Sequence, residues 1–276
     1  MARIVVTGGS GKAGRAVVRD LLEHGDDVLS VDLTRSAELE SEQLVVDVTD
    51  LGETVEALRG ADSVVHLAAI PASGLRTEEV TFRTNMTSTY NVFSAAGILG
   101  LRRVVWASSE TILGLPFERE HPLYAPQDEE HPPRPQSSYA LAKLLSEQMA
   151  EQFNRWNGIP HVGLRFSNIM EPHDYERFPS WWDDSGLRKW NLWGYVDARD
   201  VAQSCRLGLH AEASGAETFG ITAADTVMNR PSAELMAEAY PDVPLRAMPE
   251  HGTLHSIEKA RRLLGYEPQH SWRDVL

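Results

Sequence analysis

Tyr139 stands four residues before Lys143, a spacing that puts a phenol and an ammonium on one helix face, pointing the same way. A free phenol titrates near ~10, so acting as a proton acceptor at neutral pH requires surroundings that favour the phenolate by about 4 kcal/mol. An adjacent ammonium, together with a positively charged cofactor ring, supplies such a bias. Upstream, Val104-Val105-Trp106-Ala107-Ser108-Ser109-Glu110-Thr111 places a serine pair where an apolar run ends. The carboxyl edge of an open α/β sheet is where ligands bind. A hydroxyl at that edge can hold a carbinol oxygen while the phenol exchanges its proton. Ser109 is expected to take that role, and Ser108 to be a core serine bonded to backbone.

A second cluster lies near the start of the chain. Thr7-Gly8-Gly9-Ser10-Gly11-Lys12-Ala13-Gly14 follows the first apolar run, with glycine at 8, 11 and 14. A tight strand-to-helix turn needs glycine torsions and bare backbone, so that a pyrophosphate can reach the amides at the helix start. The register excludes a P-loop, because Val6 and Ala13 stand where that motif requires glycine and Ser or Thr. Asp32 lies 18 residues beyond Gly14, near the ~20-residue offset at which a carboxylate meets the adenosine ribose. It accepts hydrogen bonds from ribose hydroxyls and repels a 2′-phosphate, so NAD is expected over NADP; Arg35 pulls the other way. Asp47-Val48 ends the third strand pattern and either pins the adenine or supplies a helix N-cap.

The composition fits a folded, water-facing protein. The 276 residues are 42% hydrophobic and 24% charged, which predicts one large α/β domain, alone or with a small lobe. The net charge of −14 disfavours binding to nucleic acid or an acidic membrane surface. A single cysteine, Cys205, excludes an internal disulfide and leaves no thiolate pair for zinc, so no metal site is expected. The longest uncharged stretch, Thr84 to Leu101, is too polar to span a bilayer. Met1-Ala2-Arg3 leads directly into a strand pattern with no apolar signal core, so a cytoplasmic location is expected.

These residues need a scaffold, and the hydrophobic pattern describes one. Nearly continuous apolar runs at 4–6, 28–31, 44–46, 63–67, 104–107 and 162–165 read as strands buried on both faces. Helical periods fall between them at 11–24, 51–58, 78–99 and 138–157. The alternation predicts a doubly wound parallel sheet of the Rossmann kind over residues 1–165, with 195–222 returning to it. Residues 166–194 and 223–276 are assigned to a small substrate-binding lobe. The tryptophans at 181, 182, 190 and 193 are expected mainly to pack that lobe. His251 and His255 lack the glutamate of a zinc-hydrolase helix and are expected at the surface or in turns. Cys205 is expected to be buried beside Val201.

Taken in order, Gly8-x-x-Gly11-x-x-Gly14, Asp32, His66-Leu67-Ala68-Ala69, Asn85 in Asn-x-x-x-Thr, Ser108-Ser109 and Tyr139-x-x-x-Lys143 resemble a short-chain dehydrogenase/reductase of the extended, epimerase/dehydratase type. The ending Leu264-Gly265-Tyr266-x-Pro268 is similar to the close of that group. The resemblance implies NAD contacts from the glycine loop with Lys12 and Ala13, from Asp32, from Asp47-Val48 and from Leu67-Ala68-Ala69. It implies an ordering role for Asn85, a catalytic group of Ser109, Tyr139 and Lys143, and a homodimer formed through the helices that carry Asn85 and Tyr139. A non-catalytic NAD sensor would need no proton relay, and the complete Ser–Tyr–Lys set argues against one.

The stretch from Arg165 to Arg177 is similar to uronate dehydrogenases. That likeness implies a sugar substrate, a carboxylate clamp from Arg177, and contacts to sugar hydroxyls from Ser73, Glu110 and Asn168. Glu110 departs from the pattern, being an anion where a neutral side chain suits an acid substrate, so a neutral sugar or polyol stays open. The alternative is a nucleotide-sugar epimerase or dehydratase with retained NAD; such enzymes usually spend more residues on the C-terminal lobe, which is compressed here.

Overall fold

The computed structural model describes residues 2–276. Its centre is a seven-stranded, all-parallel sheet made of β1 (Arg3–Thr7), β2 (Asp27–Asp32), β3 (Glu42–Val45), β4 (Ser63–His66), β5 (Arg103–Ser109), β6 (His161–Phe166) and β9 (Ala216–Ile221). The order is β3-β2-β1-β4-β5-β6-β9, so the winding direction reverses between β1 and β4. Ligands of such sheets bind outside the strand carboxyl ends at that reversal. β4 is buried throughout, as its unbroken apolar run requires, whereas β3 at the edge is largely exposed.

Three helices keep the limits their periodicity predicts: α2 (Leu51–Leu58), α3 (Glu78–Leu99) and α4 (Ser138–Asn157). Local chemistry fixes their ends. Asp50 accepts from the Glu53 amide at the start of α2, and Ser137 accepts from the Ala140 amide at the start of α4. Gly100 and Gly158 close α3 and α4 at φ 68° and 76°, a region that favours glycine. α2 is therefore capped by Asp50, and the Asp47 carboxylate instead accepts from Thr49 N at 2.9 Å and Thr49 Oγ1 at 2.7 Å.

α1 (Lys12–Glu23), α5 (Ala198–His210) and α7 (Glu258–Leu264) share one apolar cluster with one sheet face, and Cys205 and Val201 are buried in it. α2, α3 and α4 cover the other face. A separate cluster forms the small lobe around Trp193, Tyr195, Leu235 and Trp272, and it includes α6 (Ser232–Ala239). Ile112, Leu113, Leu115, Phe117 and Ala125 also join this cluster, so the segment after β5 contributes to the lobe although it was expected in the sheet domain. That segment is proline-rich and has no period to reveal its destination.

Within 195–222, expected to return to the sheet, β9 does so, but the stretch just after residue 194 does not. β8 (Val196–Asp197) pairs with β7 (Ile169–Met170) in a separate two-stranded ribbon. The free edge of β6 is taken by β9, from His161↔Ala216 to Phe166↔Ile221, which leaves no room there for β8. Among the described residues, no helix is long and apolar enough to cross a membrane.

Candidate active site

The glycine loop joins β1 to α1. Gly8 has φ +74°, and a Cβ on it would come within 2.6 Å of the Ala68 nitrogen; one on Gly14 would come within 2.1 Å of the Gly8 oxygen. Those two glycines let the loop fold and the helix pack. Gly11 differs, because an added Cβ would meet only the Gly8 oxygen, at 3.3 Å. Its bareness keeps the start of α1 open to an approaching group. The Asp32 carboxylate accepts from the amides of Ser10 at 3.0 Å and Leu33 at 2.7 Å, which orders the loop from the end of β2.

From this loop a cleft of about 1120 Å³ runs along the strand ends to Tyr139. It exceeds the ~300–1,000 Å³ usual for one small ligand and has room for a dinucleotide and a second molecule. Gly8, Gly11, Lys12, Ala13, Gly14, Asp32, Asp47, Val48, Leu67, Ala68 and Ala69 all line it, as do Ser73, Ser109, Glu110, Tyr139, Lys143 and Asn168. Asn85 sits behind the wall: its side-chain amide accepts from Ile70 N at 2.8 Å and donates to Ile70 O at 3.0 Å, fixing the loop after β4. His66 braces the same corner. Its Nδ1 shares a hydrogen bond of 2.7 Å with Thr7 Oγ1, and burial holds its pKa down to about 3. Lys12 is less available than expected, since its Nζ lies 2.5 Å from Asp174 Oδ2 and ties α1 to the lobe.

Gly11→Ala is expected to fold normally and to weaken NAD binding about tenfold or more, because a methyl group would stand where a diphosphate approaches the helix amides. Titration of NADH fluorescence checks this. Gly14→Ala is expected to yield little folded protein.

On α4 the side chains of Tyr139, Lys143 and Glu147 follow one another at intervals of four and face the end of β5. Lys143 Nζ donates to Ala107 O at 2.6 Å. Glu147 accepts from Ser108 Oγ at 2.6 Å and pairs with Arg165 through two contacts of 2.8 Å. Ser108 is thus bonded to a side chain, not to backbone as expected, because Glu147 lies one turn beyond Lys143 and reaches it. Ser109 Oγ accepts from Thr111 N at 3.2 Å and Thr111 Oγ1 at 3.0 Å, so it is held beside the phenol.

The phenol itself is not acidic in this chain. Burial pushes Tyr139 up to about 12, with the Ser109 hydroxyl lowering it and the Glu110 charge raising it. Burial also draws Lys143 down to about 8. In the protein alone the Ser109 hydroxyl, not the Lys143 ammonium, opposes the rise; the lysine is expected to act together with a bound cofactor ring. Its ammonium is engaged by a strand carbonyl and lies 5.8 Å from the ring centre. At neutral pH the Tyr139 phenol is therefore held protonated in the protein alone.

The substrate end departs from the sequence reading in two further places. Arg177 is exposed, sits 5.8 Å from the Trp181 ring and does not line the cleft. His255, expected at the surface, is buried with Nε2 3.4 Å from Glu110 Oε2. The segment around it lies alongside Gln127, with Gln127 N donating to Leu254 O and Ser256 N to Gln127 O, which turns the imidazole inward. Nothing in the spacing of the histidines announces that pairing. Burial raises the pKa of Glu110, while His255, Ser167, Asn191 and Arg188 oppose the rise. Trp190 lines the cleft, and the buried Arg188 lies between it and Trp181, 5.0 and 4.6 Å from their ring centres. All four tryptophans, Trp181, Trp182, Trp190 and Trp193, pack with the apolar cluster around Tyr195, as expected of them.

Residues 4–219 match the model of the NAD dependent epimerase/dehydratase family. The chain belongs to this family. L-arabinose 1-dehydrogenase (NAD(P)(+)) of Haloferax volcanii is 33% identical over 177 residues, 62% of this chain and 68% of that protein. Uronate dehydrogenase of Pseudomonas syringae pv. tomato is 28% identical over 184 residues, 65% of this chain and 64% of that one. Among solved structures, a short-chain dehydrogenase/reductase superfamily protein from Agrobacterium tumefaciens with bound NAD superposes with a TM-score of 0.75 at 24% identity, over 98% of this chain and 94% of that one. At that identity the likeness is one of fold.

The residues of this family member fit NAD. The bare Gly11 faces the cleft at a helix start, where a diphosphate is welcome. Asp32 stands at the end of β2, and Arg35 is exposed outside the cleft. A 2′-phosphate would therefore meet a carboxylate first. Asp32→Asn is expected to raise the NADP-to-NAD preference about tenfold or more, with Arg35 free to pair the extra phosphate; cofactor titrations with both dinucleotides check it. Trp190, Asn191, Arg188 and His255 are the site residues that motif reading missed or assigned to packing.

Proposed function

We propose that this protein is an oxidoreductase that moves a hydride between the carbinol carbon of a sugar and NAD. One observation carries the reading: Ser109, Tyr139 and Lys143 meet at one end of a cleft whose other end is the glycine cradle. Ser109 holds the carbinol oxygen. Tyr139, protonated at neutral pH, gives its proton to a carbonyl oxygen in the reducing direction and recovers it in the oxidising one. Lys143, buried and fixed to Ala107 O, stands ready to stabilise a phenolate when one forms. When bound, NAD supplies the hydride acceptor and the positive ring that favours the phenolate. Ser73 and Asn168 offer hydrogen bonds to further hydroxyls. The named activities of the Haloferax and Pseudomonas relatives support the reading.

Purified protein with excess NAD and a panel of free sugars, uronates and nucleotide sugars tests it. NADH should accumulate in proportion to the sugar consumed. Release of about one NAD per chain on denaturation, with interconversion of nucleotide sugars and no net NADH, would replace this reading with that of an epimerase or dehydratase retaining its cofactor.

A further inference from the structure

We infer that the cleft selects an uncharged polyhydroxylated substrate, an unphosphorylated sugar or polyol without an acid group, and that Glu110 is the residue that makes the selection. The inference rests on the hydride-transfer reading and narrows it. Glu110 lines the cleft directly after Ser109 and is only 5% exposed. Its Oε2 is buried without a hydrogen-bond partner, and its Oε1 receives a single long bond from Asn191 Nδ2 at 3.4 Å. His255 stands behind it, with Nε2 3.0 Å from Asn191 O and 3.4 Å from Glu110 Oε2. The carboxyl is held in place with hydrogen-bonding capacity left over.

That capacity suits a hydroxyl. A neutral carboxyl donates one bond and accepts others, and an ionised one accepts; neither state attracts an anion as a guanidinium does. The side chains at this end offer no guanidinium to clamp an acid group. Asp32, Asp47 and Glu78 are further carboxyls lining the cleft, and among the described residues the only cations lining it are Lys12 and Lys143. Lys12 is paired with Asp174, and Lys143 donates to a strand carbonyl. Arg177 is exposed outside the cleft, and Arg188 lies behind Trp190, where its charge bears on Glu110. A carboxylate or phosphate brought here would lose its water without gaining a bidentate cationic partner. An uncharged sugar loses less and gains bonds from Glu110 and Asn168, with the Trp190 ring available to its apolar face.

The test compares galactose with galacturonate, and glucose with glucose 6-phosphate, as substrates with NAD. The wild-type protein should favour the neutral member of each pair by about a hundredfold or more in kcat/KM. Glu110→Gln should narrow that ratio about tenfold, mainly through KM. Arg177→Ala should leave it unchanged. A wild-type preference for either acid member, or loss of acid turnover in Arg177→Ala, would overturn the inference. Quenching of tryptophan fluorescence in the wild-type NADH complex gives a second readout that needs neither turnover nor a folded variant. Tighter binding of the neutral sugars supports the inference, and tighter binding of the acids overturns it. If no sugar of either kind produces NADH, the hydride-transfer reading fails, while the fluorescence result still decides the charge selection.

Discussion

Tyr139→Phe is expected to lower kcat by about 10²–10⁴-fold, the range that a positioned general acid or base contributes. The substitution removes one oxygen and leaves the ring against the cleft wall, so NAD affinity and melting temperature should change little. The residual rate should also lose its dependence on the ionisation of the phenol. Burial holds that group protonated up to about 12 in the protein alone. Reduction of a carbonyl should therefore proceed at neutral pH without prior ionisation. The oxidising direction should gain rate as pH rises, because there the phenolate must be reached. Steady-state kinetics in both directions, with NADH titration of the variant, check this. A Tyr139→Phe protein with near-normal kcat would remove the phenol from the mechanism.

Lys143→Met is expected to reduce turnover at least about a hundredfold and to stabilise the protein without cofactor. The lysine is 6% exposed and has no carboxylate against it, and burial lowers its pKa from 10.5 to about 8. A lysine whose folded value is depressed costs stability while it is charged in both states. The cost is present in full below about pH 8 and fades as pH rises toward the unfolded value. It amounts to roughly 3 kcal/mol at neutral pH as an upper figure. The hydrogen bond to Ala107 O offsets about 1 kcal/mol of this. The variant should therefore melt several degrees higher at pH 7, with the difference shrinking toward pH 10. Calorimetry across that range, beside activity at pH 7, tests both halves. A variant that is less stable at neutral pH, or one that keeps its activity, would contradict the assignment.

The sequence exposed the parts of this site that depend on local spacing. Tyr139 and Lys143 share a helix face because four residues make about one turn, and the glycine loop advertises a backbone that must stay bare. The strand carboxyl ends follow from runs too apolar to face water. Parts assembled from distant segments could not be read in this way. His255 meets Glu110 only because residues 254–256 lie against Gln127. Trp190 reaches the cleft through a stretch of short turns with no period, and the same stretch buries Arg188 while leaving Arg177 outside. β8 missed the main sheet because β9, twenty residues further on, had the better edge to occupy. Charge state was the other gap. A helix spacing places an ammonium near a phenol, but only the packed surroundings show that burial raises the phenol and that the ammonium is engaged by Ala107 O.

The central claim is net transfer of a hydride from a sugar carbon to a dinucleotide beside Tyr139. A neutral aldose deuterated at the carbon undergoing oxidation, mixed with NAD and the protein, tests it most directly by mass spectrometry of the dinucleotide. The account predicts one deuterium on each NADH formed, slower formation than with unlabelled sugar, and formation by Tyr139→Phe at least about a hundredfold slower still. Deuterium that stays with the sugar while no NADH is released would contradict it.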